Sequence, residues 1–548
     1  MKRDKILIIG DHPIRGDVVG QYERRGATVT QAECYKGEEH CIGDYAEIVI
    51  LSAGVEPLSA AAADAQVLSL LDVMASSAVT ADTEMQSRPL THVLLRCYST
   101  LRMLMMTDLP RAVNECLDVY PFTMADTWAK NICVKLPGIT DNDGSAHVIP
   151  TYRPLDRRPI DGTSSQRVHV VICGFGEQAR SVAINVALSC HYPNYNEESD
   201  LPLRTRITIV ADNLGRQRDE FIAMYRHLFD NSYWRSIDID RRAVDFHEPM
   251  YIRRRKDFID VEWEFVDAPA TDPYVTARIG QWAVDDSRQL TIVVAGEDDE
   301  ADMTLALSLP PAVYEQQTPV VVRQHSCALA SVLSRSSRFA ALRLFGMDDC
   351  GYDVSLPLVG MAKYLKYFYD CSYGSTGVPT VLPRADVEAA WKSEHSLKMR
   401  FSCIYNVMTI GTKMRSLGHG NDDCSTFYAL TQTEIEALSR TEHNRWSVER
   451  LISGSRPCTD EERRAVADSI NNILSLKAAG TPREQLPADL KRRYKTERDA
   501  HYDLCSYDEL SMDATGRNVR VYDYDLTACI PLIVKSYNED HGKEQLQR

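Results

Sequence analysis

The 548-residue chain carries 15 cysteines but no Cys-x-x-Cys pair. An odd count without metal-ligand spacing argues against both a zinc ribbon and a disulfide framework, so reduced thiols of a cytoplasmic protein are expected. Long apolar runs are missing too. The richest stretch, 101–109, is broken by Arg102 and Asp108, whereas a membrane-spanning helix needs about 18 apolar residues in succession. Met1-Lys2-Arg3-Asp4-Lys5 runs directly into a short apolar segment, too short for the core of a signal peptide. A cytoplasmic chain without direct membrane insertion is expected, with any membrane role exerted through a partner. Positive charge is in short supply: 62 Lys and Arg stand against 78 Asp and Glu, a net charge of −16. That balance suits no general binder of nucleic-acid backbone. The one dense basic run, Arg253-Arg254-Arg255-Lys256, reads as a solvated loop. What is present is an ordinary globular mix, 44% hydrophobic and 26% charged, long enough for three or four domains at roughly 150 residues each.

Short apolar runs alternate with helical segments in the first third. Ile6–Ile9, Ala27–Thr30, Ile48–Leu51 and Val93–Leu95 read as strands, and the alternation implies a parallel α/β sheet over residues 1–135. Residues 136–167, rich in Pro, Gly, Asp, Ser and Thr, read as a linker. The pattern restarts over 168–355, with strands at Val168–Ile172, Ile207–Val210, Val261–Val266, Thr291–Val294, Val320–Val322 and Leu342–Phe345. The fold class expected is α/β: two tandem Rossmann-like, doubly wound parallel sheets followed by a mainly helical C-terminal region. That region divides into a helical connector (356–430), a C-terminal domain (431–535) interrupted by a polar insertion at 475–500, and a tail (536–548).

The strongest chemical signal is Gly174-Phe175-Gly176-Glu177-Gln178-Ala179, placed after a buried-type strand and opening a helix. Gly174 permits the tight turn, Gly176 removes the side chain that would block a pyrophosphate, and Ala179 keeps the helix near the sheet. The helix N-terminus offers free N–H groups and a positive dipole end. Asp212, at the end of the next strand, is placed to accept from ribose hydroxyls. It follows Gly174 by 38 residues rather than about 20, and the polar stretch 191–203 accounts for the excess. The cofactor-binding set is therefore Gly174, Phe175, Gly176, Gln178, Ala179 and Asp212, and the expected ligand is NAD or another adenine nucleotide. The first unit has Gly10-Asp11-His12-Pro13-Ile14-Arg15-Gly16, which lacks the second glycine at the right offset, and it is expected to hold no dinucleotide tightly. Glu297-Asp298-Asp299-Glu300 reads as an acidic helix start. Toward the C-terminus, Glu442, Arg445, Trp446 and Glu449 share a helix face. An Arg–Glu pair beside a Trp is either a ligand cradle or a core Trp framed by salt bridges. With His443, these five are the candidate ligand face of the C-terminal domain.

Two parts of the chain resemble known families. Residues 168–350, through Val168–Gly176, Asp212 and Glu297–Glu300, resemble the NAD-binding domain of Trk-type potassium-uptake regulators. Residues 431–535, through Glu442-His443-Asn444-Arg445-Trp446, Glu449-Arg450, Gly454 and Tyr507-Asp508-Glu509-Leu510, resemble the prokaryotic form of the ryanodine-receptor repeat domain. The combination is similar to bacterial proteins that join these domains in one chain. The resemblance implies a nucleotide sensor acting on a membrane transporter or channel, assembled as a homodimer, with no catalytic residues and no metal. Gly454 is followed by Ser455 where that family has Gly-Trp. The rival expectations are an NAD-dependent oxidoreductase, for which His325 is the best proton-transfer candidate, and a scaffold without ligand.

Overall fold

The computed structural model describes residues 5–37, 39–54, 57, 59–80, 88–136, 152–199, 201–249, 257–326, 336–374, 377–419 and 429–547. Continuous runs of Ile, Leu and Val suit strands covered on both faces, and they form two separate sheets. In the first, β1 (Lys5–Ile9), β2 (Thr28–Ala32), β3 (Glu47–Ile50), β4 (Leu90–Leu95) and β5 (Asp118–Thr123) are parallel in the order β2-β1-β3-β4-β5. The order reverses between β1 and β3. There Gly10 has a φ of 86°, and a Cβ on it would lie 2.3 Å from Ser52 Oγ.

The second sheet comprises β6 (Arg167–Cys173), β7 (Thr205–Ala211), β8 (Tyr233–Asp238), β9 (Ala243–His247), β10 (Val261–Asp267), β11 (Arg288–Val294), β12 (Val320–Arg323) and β13 (Leu342–Phe345). Its order is β13-β12-β11-β6-β7-β10-β8-β9, parallel except for β9. Without β8 and β9 this is the six-stranded order of dinucleotide-binding folds, reversing between β6 and β11. The expected architecture of two doubly wound sheets followed by helices is what the chain adopts.

Three strands escape the sequence pattern. β5 contains Pro121, which cannot donate to a ladder; it is tolerated because β5 is an edge strand. β8 and β9 alternate polar and apolar residues at the opposite edge of the second sheet and lack a buried run.

Residues 152–167 are no loose linker. Tyr152, Leu155 and Ile160 are buried, Tyr152 Oη donates to the Leu344 carbonyl at 2.6 Å, and Asp156 accepts from Arg415 Nε at 2.8 Å and Nη2 at 2.7 Å. Three apolar anchors outweigh the turn-forming composition. The remainder of the expected linker, 137–151, and the basic run 253–256 lie outside the described residues. Gln21 of the first unit bonds the backbone of Tyr352 and Val354, so the strap that follows β13 also ties the two units together.

Helices Pro357–Tyr373, Arg384–Ser393, Leu397–Met408 and Ile410–Ser416 form the connector. Gln432–Ile452, Asp460–Ala478, Leu490–Arg498, Arg520–Ala528 and Ile530–Gln547 follow. Thr431 with Glu434 and Thr459 with Glu462 close capping boxes at two of these starts. The expected tail continues the last helix. No helix among the described residues is long and apolar enough to cross a membrane.

Candidate functional site

The glycine turn lies where the second sheet reverses. Gly174 follows β6 with a φ of 114°, and a Cβ there would meet the Ala295 carbonyl oxygen at 2.3 Å. Only glycine fits, because the end of β11 presses against the turn. Gly176 is the N-cap of helix Glu177–Ser189. Around it the nearest neighbour of a Cβ would be the flexible Glu297 carboxylate at 3.4 Å. Backbone can therefore be approached from the solvent side at this point, as a phosphate requires. Ala179 is buried against the sheet. Gln178 Oε1 is buried with no partner among the described residues, an acceptor left for a ligand hydroxyl or amino group. Asp212 is exposed just beyond β7. These positions fit an adenine nucleotide.

Phe175 differs from expectation. Its ring is buried, edge-on to Phe221 at 5.3 Å and under the Arg180 guanidinium at 4.8 Å. Its carbonyl accepts from Arg180 Nε, so only its backbone is left for a ligand.

The charge around the turn is mixed. Desolvation and the nearby Asp64 push the Glu177 carboxyl up against the pull of Arg180 and Arg323. Asp64 belongs to the first unit, where its two oxygens accept from the backbone N–H groups of Arg96 and Cys97. Asp302, buried beneath the turn, receives the Gly296 N–H at 3.1 Å, and desolvation lifts its pKa to about 6. His325 is fixed by Asp299, Nδ1 to Oδ1 at 2.7 Å, but its Nε2 faces the Arg323 guanidinium at 2.9 Å. That contact occupies the nitrogen a hydride-transfer site would need free. In the first unit, Arg15 bonds Gln31. His12, lowered to about 4 by desolvation and by Arg96, accepts from the Ile14 N–H.

Helix Glu177–Ser189 links this site to the rest of the chain. Every residue from Ser181 to Ser189 is buried. The helix packs along Met124–Cys133 of the first unit and touches Leu397–Met408 and Gln432–Ile452. Asn185 donates to Asp126 at 3.0 Å, and Asp126 pairs with Lys130 at 2.6 Å.

The expected ligand face of the C-terminal domain proves to be a buried ion network. Glu442 and Arg445 are each 1% exposed and Glu449 2%. Glu442 pairs with Lys413 at 2.6 Å and with Arg445 at 2.8 Å, and it accepts from Asn406; Arg445 also reaches Glu449 at 2.9 Å. The connector helices cover this face and supply Lys413, Asn406 and Ser402. Sequence spacing within one helix carries no sign of that cover. His443 is also buried, between Asp523 at 3.1 Å and the Cys505 carbonyl at 2.8 Å. Only Trp446 is half-exposed, its ring meeting His501 at 4.8 Å.

Burial alone would lower the His443 pKa, but the hydrogen bond to Asp523 and its charge outweigh burial and raise it above 6.5. The stability this pair supplies is complete below the unfolded value and is lost as pH rises through the folded one. Urea midpoints are therefore expected to fall more steeply as pH rises above 6.5 in the native chain than in His443→Gln; equal slopes would contradict the pairing.

No protein-family model matches this chain, and neither does any curated protein. Among solved structures, NtrX from Brucella abortus aligns over 90% of this chain and 99% of its own at 11% identity, with a TM-score of 0.14. That likeness is too slight to bear on fold or function.

Proposed function

We propose that this chain is a regulatory protein that takes an adenine nucleotide at the carboxyl edge of its second sheet and converts occupancy into altered packing between its units. The observation that carries this reading is the pairing of two features on one helix. Glu177–Ser189 begins at an approachable glycine turn and is buried for most of its length against the first unit and the helical region. The backbone N–H groups at 176–178 would hold phosphate, Gln178 and Asp212 would accept from ligand hydroxyl or amino groups, and Glu297 would swing aside. A ligand shifts an equilibrium only by its difference in affinity between two arrangements, and a helix end shared by site and interface is where such a difference can arise. The resemblance to potassium-uptake regulators extends the proposal to a cytoplasmic homodimer acting on a transporter or channel.

Thermal denaturation with NAD, NADH, ATP, AMP and ADP-ribose tests this reading. A ligand held only by the folded chain raises the melting temperature. The rise is expected with at least one of these compounds and is expected to vanish in Gly176→Asp, whose carboxylate would stand where phosphate must lie. No shift with any of them would refute nucleotide binding. The rival reading, an NAD-dependent oxidoreductase, would require His325 Nε2 to be released from Arg323. Turnover of NADH with a carbonyl panel, lost in His325→Gln, would establish that reading over the first.

A further inference from the structure

A cavity of about 560 Å³ lies between the insertion that precedes β7 and the N-terminal half of helix Gln432–Ile452. Its volume falls within the range of small-molecule sites, roughly 300–1,000 Å³. One wall is aromatic, formed by Tyr192 and Tyr195; the other is polar, with Glu436, Arg440, Thr441 and Asn444. The aromatic wall is held in place from behind. His191 Nδ1 bonds Asp260 at 2.8 Å, and Asn194 donates to the carbonyls of Ser164 and Gln166 at 3.0 and 2.7 Å. Arg204 pairs with Asp257 and lays its guanidinium over the Tyr195 ring. The stretch that lengthens the spacing to Asp212 is thus a built wall.

Asn444 lies opposite. It is 7% exposed, and it lines the cavity across from the two tyrosines. A carboxamide presents a donor and an acceptor side by side, the complement of the N6–N7 edge of adenine, and tyrosine rings offer a face or edge to a flat heterocycle. At the rim Arg440 is held by Asp508 at 2.8 Å, and Glu436 balances it, so the lining favours no polyphosphate.

We propose that this cavity is a second ligand site, selective for an uncharged adenine nucleoside whose base is bonded by Asn444 and bounded by Tyr192 and Tyr195. It shares no residue with the glycine turn and does not depend on nucleotide binding there. Because its walls come from the second sheet's insertion and from the C-terminal domain, occupancy would fasten one to the other.

Equilibrium dialysis of the full chain against radiolabelled adenosine tests this. Saturable binding is expected in the native chain and in Gly176→Asp. It should weaken at least tenfold in Asn444→Ala and disappear in Ala437→Trp, whose indole would fill the cavity from its half-buried position on the lining. Circular dichroism confirms that each variant folds, and Ala437→Trp carries the test if loss of Asn444 disturbs folding. Three results would overturn the proposal: no saturable binding, binding unchanged in both cavity variants, or binding lost in Gly176→Asp, which would place the adenosine at the glycine turn.

Discussion

Lys413→Met is expected to lower the free energy of unfolding by about 3 kcal/mol at neutral pH, the scale of breaking a buried ion pair from one side. Lys413 and Glu442 side chains are each 1% exposed. Methionine keeps most of the volume and removes the charge, leaving the buried Glu442 with Arg445 as its one remaining cationic partner of the two and no water to take the place of the other. Lys413→Met with Glu442→Gln should recover part of the loss, because the second change removes the buried carboxylate that the first left short of a partner. The same network sets an acid limit. Burial would raise the Glu442 pKa, but Arg445 and Lys413 overcome it and hold it at about 2. Its contribution is therefore present above the unfolded value of 4.5 and lost as pH falls toward about 2. Urea unfolding at neutral pH decides the matter; a loss below about 1 kcal/mol would mean that the pair is solvated rather than sealed.

Gly174→Ala is expected to destabilise the chain by about 2–5 kcal/mol. A φ of 114° is strained for any residue with a Cβ, which costs about 1–3 kcal/mol. The added methyl would also sit 2.3 Å from the Ala295 carbonyl, an overpacking penalty of similar size. Backbone on both sides leaves little room for relief. Gly176→Ala is the contrasting case, since its neighbour is only the movable Glu297 carboxylate. It should leave the urea midpoint nearly unchanged while weakening any nucleotide held at the turn. Equal stability losses in the two variants would mean that the turn is purely structural.

The buried strands and the glycine turn were legible because each depends on a local pattern: a continuous apolar run, or two glycines at fixed spacing before a helix. β5 was hidden by Pro121, which only an edge position excuses. At the C-terminal face, spacing leaves a ligand cradle and a salt-bridged core both open. Glu442, Arg445 and Glu449 do share a face, but what covers it comes from Lys413 and Asn406, about 30 residues away in sequence, and helical spacing carries no information about a partner at that distance. The same holds for Asp156 and Arg415, which turn an apparently polar linker into a buried strap. The cavity beside Asn444 requires the insertion and the 432–452 helix to meet, which neither segment announces.

Hydrogen exchange of the full chain, with and without saturating NADH or ATP, tests the central claim most directly. Exchange is expected to slow in Glu177–Ser189 and, with the same dose dependence, in Met124–Cys133, and to be unaffected in Gly176→Asp. Protection confined to the turn would contradict the coupling between site and interface, and no protection with either nucleotide would contradict the site itself.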